Sequence, residues 1–429
     1  MQVLAESLWQ SEMYTEVVKR IESLKRFGNK SGREVTEHLL PRLSNPDTGM
    51  KIIHIAGTNG KGSVAMYIAA ALEANGYKTG LFTSPHLITI RERIQVNRKL
   101  ISEENFTRLA EKVLSVEMPD EYTPTFFDIC LAVSLLYFEE QNCDYVVLET
   151  GLGGRVDSTR GIGQKPLVGV ITAIGLDHTA ILGDTLEQIA AEKAGIERDG
   201  MPVVIAHNPP EVRTVLEKNA AEYFAVDEDY SGDNELKKLA KRAADRDKEL
   251  TPPLLGDFQY DNEAASLAAL SYCMTALDIE KVLDGIRSVK WPARIQKLKE
   301  NPLFIVDGSH NPQGVAALVD TLKRNYPEER FIFIMAAMAD KDAAHMISGT
   351  KEIAERYICL KADTPRSISA EALSDMVKTQ GAEALTAGSV SEAIKVALNT
   401  RKPVVAFGSL YLAGEILAES KSLQTFDQL

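Results

Sequence analysis

The residues with the most direct chemical meaning lie in His54-Ile55-Ala56-Gly57-Thr58-Asn59-Gly60-Lys61-Gly62-Ser63, a glycine-rich run ending on a lysine and a serine. Glycines there let consecutive backbone N–H groups and a helix N-terminus face an anion, and Lys61 adds a point charge suited to the β- and γ-phosphates of a nucleotide. The spacing departs from the common Walker A pattern. Ile55 stands where the first glycine belongs, and Gly62 separates Lys61 from Ser63. The plain alternative is an ordinary glycine-rich strand-to-helix turn.

Phosphate chemistry also needs a hard divalent cation, which takes carboxylate or hydroxyl oxygens at the carboxyl ends of strands. Glu149 ends the apolar run Tyr145-Val146-Val147-Leu148, and Gly151-Leu152-Gly153-Gly154-Arg155 opens space beyond it. An isolated Glu at such a place also reads as a solvated strand end. Asp177-His178 follows the apolar Ile171–Ile174, where a packed or capping histidine is as good a reading as a ligand. Thr185-Leu186-Glu187-Gln188 is a capping box opening a helix that reaches Lys193, by itself a solvated cation.

These residues need strands and helices to hold them. Lys51–Ala56, Asp144–Thr150, Leu167–Ile174 and Pro202–Ala206 read as β-branched strands, and the run after the glycine-rich turn places Val64, Ile68, Ala71 and Leu72 on a helix. That alternation predicts an α/β fold with a parallel, helix-covered sheet. After Trp291-Pro292-Ala293-Arg294 the chain turns polar over Gln296–Asn301. A second βα series then begins with Leu303–Val306, Arg330–Met335 and Pro403–Phe407. Two domains follow, residues 1–296 and 297–429. The charge-dense stretch Asp227–Lys248 reads as a solvated helix or excursion.

With 429 residues, 45% hydrophobic and 25% charged, the chain has enough apolar material to fold without a structural metal or disulfide. The 61 acidic residues outnumber the 48 basic ones, and a net charge of −13 repels a nucleic-acid backbone, so any polyanion must be held by a local site. Cys130, Cys143, Cys273 and Cys359 lack CxxC pairing and read as buried free thiols of a reducing cytosol, with no zinc site. Met1 to Trp9 has no basic, apolar leader pattern and no run reaches membrane-span length, which predicts a cytoplasmic protein without a membrane partner.

Taken in order, the motifs resemble the folylpolyglutamate synthase and dihydrofolate synthase family, a branch of the Mur-type ATP-dependent amide ligases. That family's phosphate loop reads GTNGKGS, as do residues 57–63. The likeness continues through Thr83-Ser84-Pro85-His86-Leu87, Glu92-Arg93-Ile94, Glu149 to Arg155, Asp177-His178 and Glu192-Lys193-Ala194-Gly195-Ile196. It resumes at Gln259, Asn262, Trp291-Pro292, Arg294, Asp307-Gly308, His310-Asn311-Pro312, Asp340-Lys341-Asp342, Pro365-Arg366 and Gly408-Ser409-Leu410-Tyr411, in the family's order over nearly the whole chain.

The resemblance implies an N-terminal Mur-ligase-like P-loop ATPase domain with a parallel-rich sheet and a smaller C-terminal α/β domain, with the reaction at their interface. It implies ATP held by Gly57, Thr58, Asn59, Gly60, Lys61, Gly62 and Ser63, with Asn262, Arg294 and Asp307 also on the nucleotide. It implies Mg²⁺ on Ser84, Glu149 and His178, and a carbamylated Lys193 supporting a second metal. Lys61, Lys193 and His310 become the catalytic residues, and His310 and Ser409 position glutamate. A carbamylated lysine and a glutamate site are assignments that spacing alone does not supply.

For His310, which precedes a helix with Pro312 in its first turn and Val315, Leu318, Val319 and Leu322 inward, helix capping is the structural alternative. The implied reaction joins L-glutamate to a reduced folate through an acyl phosphate, with dihydropteroate as a second acceptor and a monomer as the acting unit. Dihydrofolate synthesis alone is one alternative. A Mur-type ligase of a peptidoglycan precursor is a second, disfavoured by Gly62 and the TSPHL match, and a nucleotide-regulated binding protein is a third. Arg160, Phe258 and Asp128 stand where the family commonly has Asn, His and Glu; Arg160 and Asp128 bear on the acceptor more than on ATP.

Overall fold

Ile52-Ile53-His54-Ile55-Ala56 is buried along its whole length, as a central strand covered by helices on both faces must be; it is strand β1 (Ile52–Ala56). The computed structural model describes residues 2–25, 28–273 and 276–423. In it β1 joins β2 (Thr79–Phe82), β3 (Ile94–Val96), β4 (Lys99–Leu100), β5 (Tyr145–Glu149), β6 (Val168–Ile171), β7 (Val203–Ile205) and β8 (Tyr223–Ala225). The order is β4-β3-β2-β5-β1-β6-β7-β8. From β2 to β8 every neighbouring pair is parallel, and β3 and β4 add an antiparallel extension at one edge. The parallel arrangement brings the carboxyl ends of β2, β5, β1 and β6 to the same side of the sheet, where an α/β protein builds its ligand site.

This sheet belongs to a compact unit made of residues up to Ile174, Leu182–Thr251 and Tyr260–Val289. A second unit comprises Gly175–Ile181, Pro252–Gln259 and the chain from Lys290 onward. Its sheet contains β9 (Gln296–Glu300), β10 (Leu303–Val306), β11 (Phe331–Met335), β12 (Ala354–Cys359), β13 (Ala384–Thr386) and β14 (Val404–Phe407), ordered β13-β12-β11-β14-β10-β9. All pairs are parallel except β9 with β10. Phe331, Phe333, Tyr357 and Phe407 fill its core, Phe333 and Phe407 edge to face with ring centroids 5.2 Å apart.

Three expectations need correction. The polar run Gln296–Asn301 is not a bare connection: Gln296–Glu300 is an edge strand, and a strand paired on one side only keeps polar residues facing water. Within the charged stretch, Glu235–Ala244 is an amphipathic helix that buries Leu236, Leu239, Ala240 and Ala243. Cys130 and Cys359 are buried thiols, whereas Cys143 and Cys273 are half-buried. The Met1–Trp9 stretch enters a helix at Gln2–Glu22, and Met1 lies outside the described residues. Among the described residues no helix is long and apolar enough to cross a membrane.

The helix that follows the glycine-rich loop, Lys61–Ala74, is buried at every position from Gly62 to Leu72. The helix Ile279–Arg287 lies against it so closely that a Cβ on Gly285 would stand 2.5 Å from the Ala70 carbonyl oxygen. Nearby in sequence to this packing partner, on the helix Phe258–Leu270, Glu263 is only 3% exposed and its buried Oε2 has no hydrogen-bond partner among the described residues.

Burial pushes the Glu263 carboxyl up to about 7, with the Arg287 charge opposing. Because the folded value lies above the unfolded one, this group's contribution to stability is complete below the unfolded pKa and is lost as pH rises through about 7. Glu263→Gln removes that loss. Its advantage over the parent in unfolding free energy should grow between pH 5 and pH 8 by an amount on the order of 3 kcal/mol, read from urea titrations; parallel pH curves for the two proteins would refute it.

Candidate active site

The glycine-rich loop connects β1 to the helix Lys61–Ala74 and is pinned from the side by β6 and its extension. Thr58 N and Asn59 N donate to the Ala173 carbonyl at 2.9 and 3.1 Å, and Thr172 Oγ1 donates to Asn59 O at 2.8 Å. Gly57 has φ +148° and an added Cβ would fall 1.8 Å from Thr172 Oγ1. Gly60, the helix N-cap, has φ +91°, and its Cβ would fall 2.3 Å from Asn262 Oδ1. Only glycine meets both demands, of backbone conformation and of close approach. Gly60 supplies no side-chain cap, so the first N–H groups of the helix are left for an anion.

Two lysines converge on this loop. Lys61 Nζ donates to Gly57 O at 3.0 Å and to Thr58 O at 3.1 Å, while the buried Lys193 Nζ reaches the same Gly57 oxygen at 2.7 Å. Lys193 comes from the helix Leu186–Ala194, whose N-terminus carries the expected Thr185/Gln188 capping box. Two ammonium groups on one carbonyl oxygen repel each other, and that concentration of charge suits a phosphate. Ser63 is buried in the first turn of the loop helix.

At the ends of adjacent parallel strands β2 and β5 the structure brings Ser84 and Glu149 together: Ser84 N donates to Glu149 Oε2 at 2.9 Å. The turn after Glu149 packs on the Lys193 helix, with Arg155 N donating to Glu192 O and the Arg155 side chain paired to Glu192 at 2.7 Å. Ser84, Glu149, Lys61, Lys193 and Asn262 thus all belong to the first unit. Arg294, Asp307, His310 and Ser409 belong to the second, as does His178.

In that second unit Asp177 is the centre of a group made of one lysine and two imidazoles. The Lys341 ammonium bonds its Oδ1, His310 Nε2 lies 3.8 Å and His178 Nε2 4.0 Å from its Oδ2, and Asn311 Nδ2 donates to it at 3.4 Å. Burial raises the Asp177 carboxyl, but the Lys341 charge, followed by His178 and His310, outweighs it and holds the group well below the usual carboxylate range. Burial first, then Lys341, holds the His310 imidazole below its ordinary value. The helix Pro312–Asn325 is capped by Asn311, which accepts from Gly314 N, so His310 is not the cap; its Nδ1 bonds Gly308 O at 2.8 Å. Asp307 accepts from Ile295 N and Ser309 N, and Ser409 Oγ accepts from Tyr411 N at 3.1 Å. Arg294 Nη1 donates to Ala293 O at 3.0 Å.

Several residues matter more here than their sequence signal suggested. Lys341 and Glu92 sit in the quoted motifs without a task there, and Asp157 lies two residues past the Glu149–Arg155 run. Asp157 Oδ2 accepts from Gly151 N and Leu152 N at 3.0 and 2.8 Å, and its Oδ1 accepts from Thr159 Oγ1 at 2.6 Å. Thr159 Oγ1 in turn lies 2.7 Å from Nε2 of the buried His54 on β1. Asp128 closes a capping box with Thr125 and accepts from Ser158 Oγ at 2.5 Å, which gives this shorter carboxylate a structural task. Arg160 donates to Gly195 O at 3.0 Å. Phe258 packs against the core of the second unit.

The Mur ligase middle domain family matches residues 55–270, and the family "Mur ligase, glutamate ligase domain" matches residues 293–410. The dihydrofolate synthase/folylpolyglutamate synthase of Bacillus subtilis is 36% identical over 369 residues, 82% of this chain and 85% of that protein. The chain belongs to the folylpolyglutamate synthase/dihydrofolate synthase family of Mur ligases. The solved structure of E. coli FolC in complex with DHPP and ADP covers 96% of this chain and 98% of its own, with 27% identity and a TM-score of 0.83. The Yersinia pestis bifunctional folylpolyglutamate synthase/dihydrofolate synthase with Mn, AMPPNP and L-glutamate bound covers 95% of this chain and 97% of its own, with 26% identity and a TM-score of 0.81.

The His54–Thr159–Asp157 chain fastens the family's glycine turn after Glu149 to β1. Thr159→Val keeps the side-chain shape but leaves the buried His54 ring without that bond, so unfolding free energy should fall by about 2 kcal/mol. A loss below about 0.5 kcal/mol in urea titration would show that the link contributes little.

Proposed function

We infer that this chain joins L-glutamate to a folate in an ATP-dependent reaction, extending reduced folate as γ-linked polyglutamate and accepting dihydropteroate as well. The observation that carries the reading is the meeting of Lys61 and Lys193 at the Gly57 carbonyl beside a helix N-terminus with no side-chain cap. A carboxylate does not react with an amine while its leaving group is oxide; transfer of a phosphoryl group from ATP makes that oxygen a phosphate. The acceptor's carboxylate attacks the γ-phosphorus, ADP leaves, and the α-amine of glutamate then displaces phosphate from the acyl carbon. Phosphoryl transfer brings anions together, and Lys61, the loop N–H groups and Ser63 offset that charge from fixed positions.

The Ser84 backbone N–H, donating to Glu149 Oε2 at 2.9 Å, holds the serine beside the carboxylate, and the Ser84 hydroxyl and Glu149 carboxylate are hard oxygen donors that fit Mg²⁺. They would hold that ion, which when bound neutralises phosphate charge. His178 keeps the ligand role that the family likeness gives it. Carbamylation of Lys193 is the assignment the family likeness gives it; it would turn that amine into an anion able to support a second metal and leave Lys61 and the loop N–H groups to face the phosphates. Asn262, next to Gly60, serves the nucleotide, as do Arg294 and Asp307 in this reading; His310 and Ser409 hold glutamate. The reading gives the phosphate loop and most of the nucleotide site to 1–296, and glutamate handling together with the nucleotide contact of Asp307 to 297–429, in a cytoplasmic monomer.

Glutamate-dependent ADP release should follow tetrahydrofolate and dihydropteroate but not a uridine-diphosphate muramoyl substrate. Chelation of divalent ions should abolish it. Lys61→Ala should lower kcat by at least about a hundredfold with the fold intact by circular dichroism. Phosphate released without an amide product would sink the ligase reading.

A further inference from the structure

We propose that His86 is an acceptor-binding residue whose Nε2–H donates to an oxygen of the acceptor's aryl carboxyl or carboxamide group, and that Arg93 positions it. The inference rests on the ligase reading above and names a contact which that reading leaves unassigned.

The loop that carries Ser84 and His86 is held unusually firmly. Glu92 accepts from three consecutive backbone N–H groups: Leu87 N at 2.8 Å through Oε2, and Ile88 N and Thr89 N at 2.9 Å through Oε1. Thr83 N, just before the loop, donates to Arg93 O at 3.1 Å. A carboxylate spent on three amides of one loop fixes its backbone, and the side chains on it inherit that order.

Arg93 is 7% exposed, and its guanidinium carbon lies 5.0 Å from the centre of the Phe126 ring. Its Nε donates to His86 Nδ1 at 2.9 Å. A guanidinium has donors only, so Nδ1 presents its lone pair and the ring proton sits on Nε2. The bond therefore does two things: it sets the tautomer and it aims Nε2–H. No protein acceptor meets that Nε2 among the described residues, and the ring is half-buried.

The surroundings suit an aryl acid or aryl amide. The His86 ring centroid is 6.4 Å from that of Phe126, and Phe127 lies beside Gly151, whose added Cβ would fall 2.7 Å from the Phe127 ring. Two phenylalanines open the helix Phe126–Glu140 and offer an apolar wall for a benzoyl ring; His86 adds a fixed donor next to it. Ser84, two residues earlier, donates its backbone N–H to Glu149, which places this donor on the loop of the proposed metal site: at the reacting carboxyl of dihydropteroate, and at the aryl carboxamide that precedes the reacting γ-carboxyl of a folate. A histidine retained only to satisfy Arg93 would not need its second nitrogen at a half-open position.

The test is steady-state kinetics of the full chain with tetrahydrofolate and with dihydropteroate as the varied substrate. His86→Ala should raise the acceptor KM about tenfold, leave the KM values for ATP and glutamate within about twofold, and shift Tm by no more than a few degrees. His86→Gln, which restores an N–H donor near the Nε2 position, should recover most of the loss. Arg93→Lys should raise the acceptor KM in the same direction by loosening the ring. Should His86→Ala not fold, His86→Phe, which keeps the ring and lacks the donor, carries the same expectation. An unchanged acceptor KM, or an equal rise in all three KM values, overturns the proposal while leaving an active parent as a ligase. A parent that releases no glutamate-dependent ADP with either acceptor overturns the ligase reading and this inference together.

Discussion

The carbonyl oxygen of Gly57 is the point on which the first unit's chemistry depends, because it holds Lys61 and Lys193 at once. Such an arrangement is unfavourable by itself. It persists because the oxygen belongs to a loop tied to Ala173 and Thr172 on the neighbouring strand exit, and because the loop leads into a helix that is buried all round. Charge is thereby concentrated before any ligand arrives, so the reorganisation that an anion would otherwise impose on solvent and side chains is already done. The glycines at 57 and 60 are part of the same constraint, since one touches Thr172 and the other Asn262.

A complementary solution operates in the second unit. There Asp177 is the minority anion among Lys341, His178 and His310, and Lys341 and Asp177 are both largely shielded from water. A buried pair of this kind adds little net stability compared with apolar residues of similar size, because both charges lose hydration. Its value lies in direction: it fixes where a lysine and two imidazoles point. The capping role open to a histidine next to a helix start does not fall to His310, since Asn311 does the capping.

Much of this was legible in the sequence, for physical reasons that differ from residue to residue. β1, β5, β10, β11 and β14 are continuous apolar runs because both of their faces are covered, and such runs stand out. β3, β4 and β9 lie at or near sheet edges, carry polar residues and were therefore hidden. The phosphate loop could be read because its task demands glycine at fixed places. Lys193 could be placed on a capped helix but not given a task, because its partner Gly57 lies 136 residues away and only folding reveals it. Asp157, Glu92 and Lys341 act through backbone amides or distant side chains, and no local spacing encodes such partners.

The close approach of Gly285 to the Ala70 carbonyl has a consequence for how this molecule can diverge. Where two helices touch through their backbones, neither can accept bulk independently, so substitutions along the seam must arrive as matched pairs or not at all. The seam is closed to solvent, with Ala70, Ala71, Val282 and Ile286 all buried. Drift there is restricted by geometry alone, and natural variants of the catalytic loop would be expected to carry their compensations in a helix more than two hundred residues further along the chain.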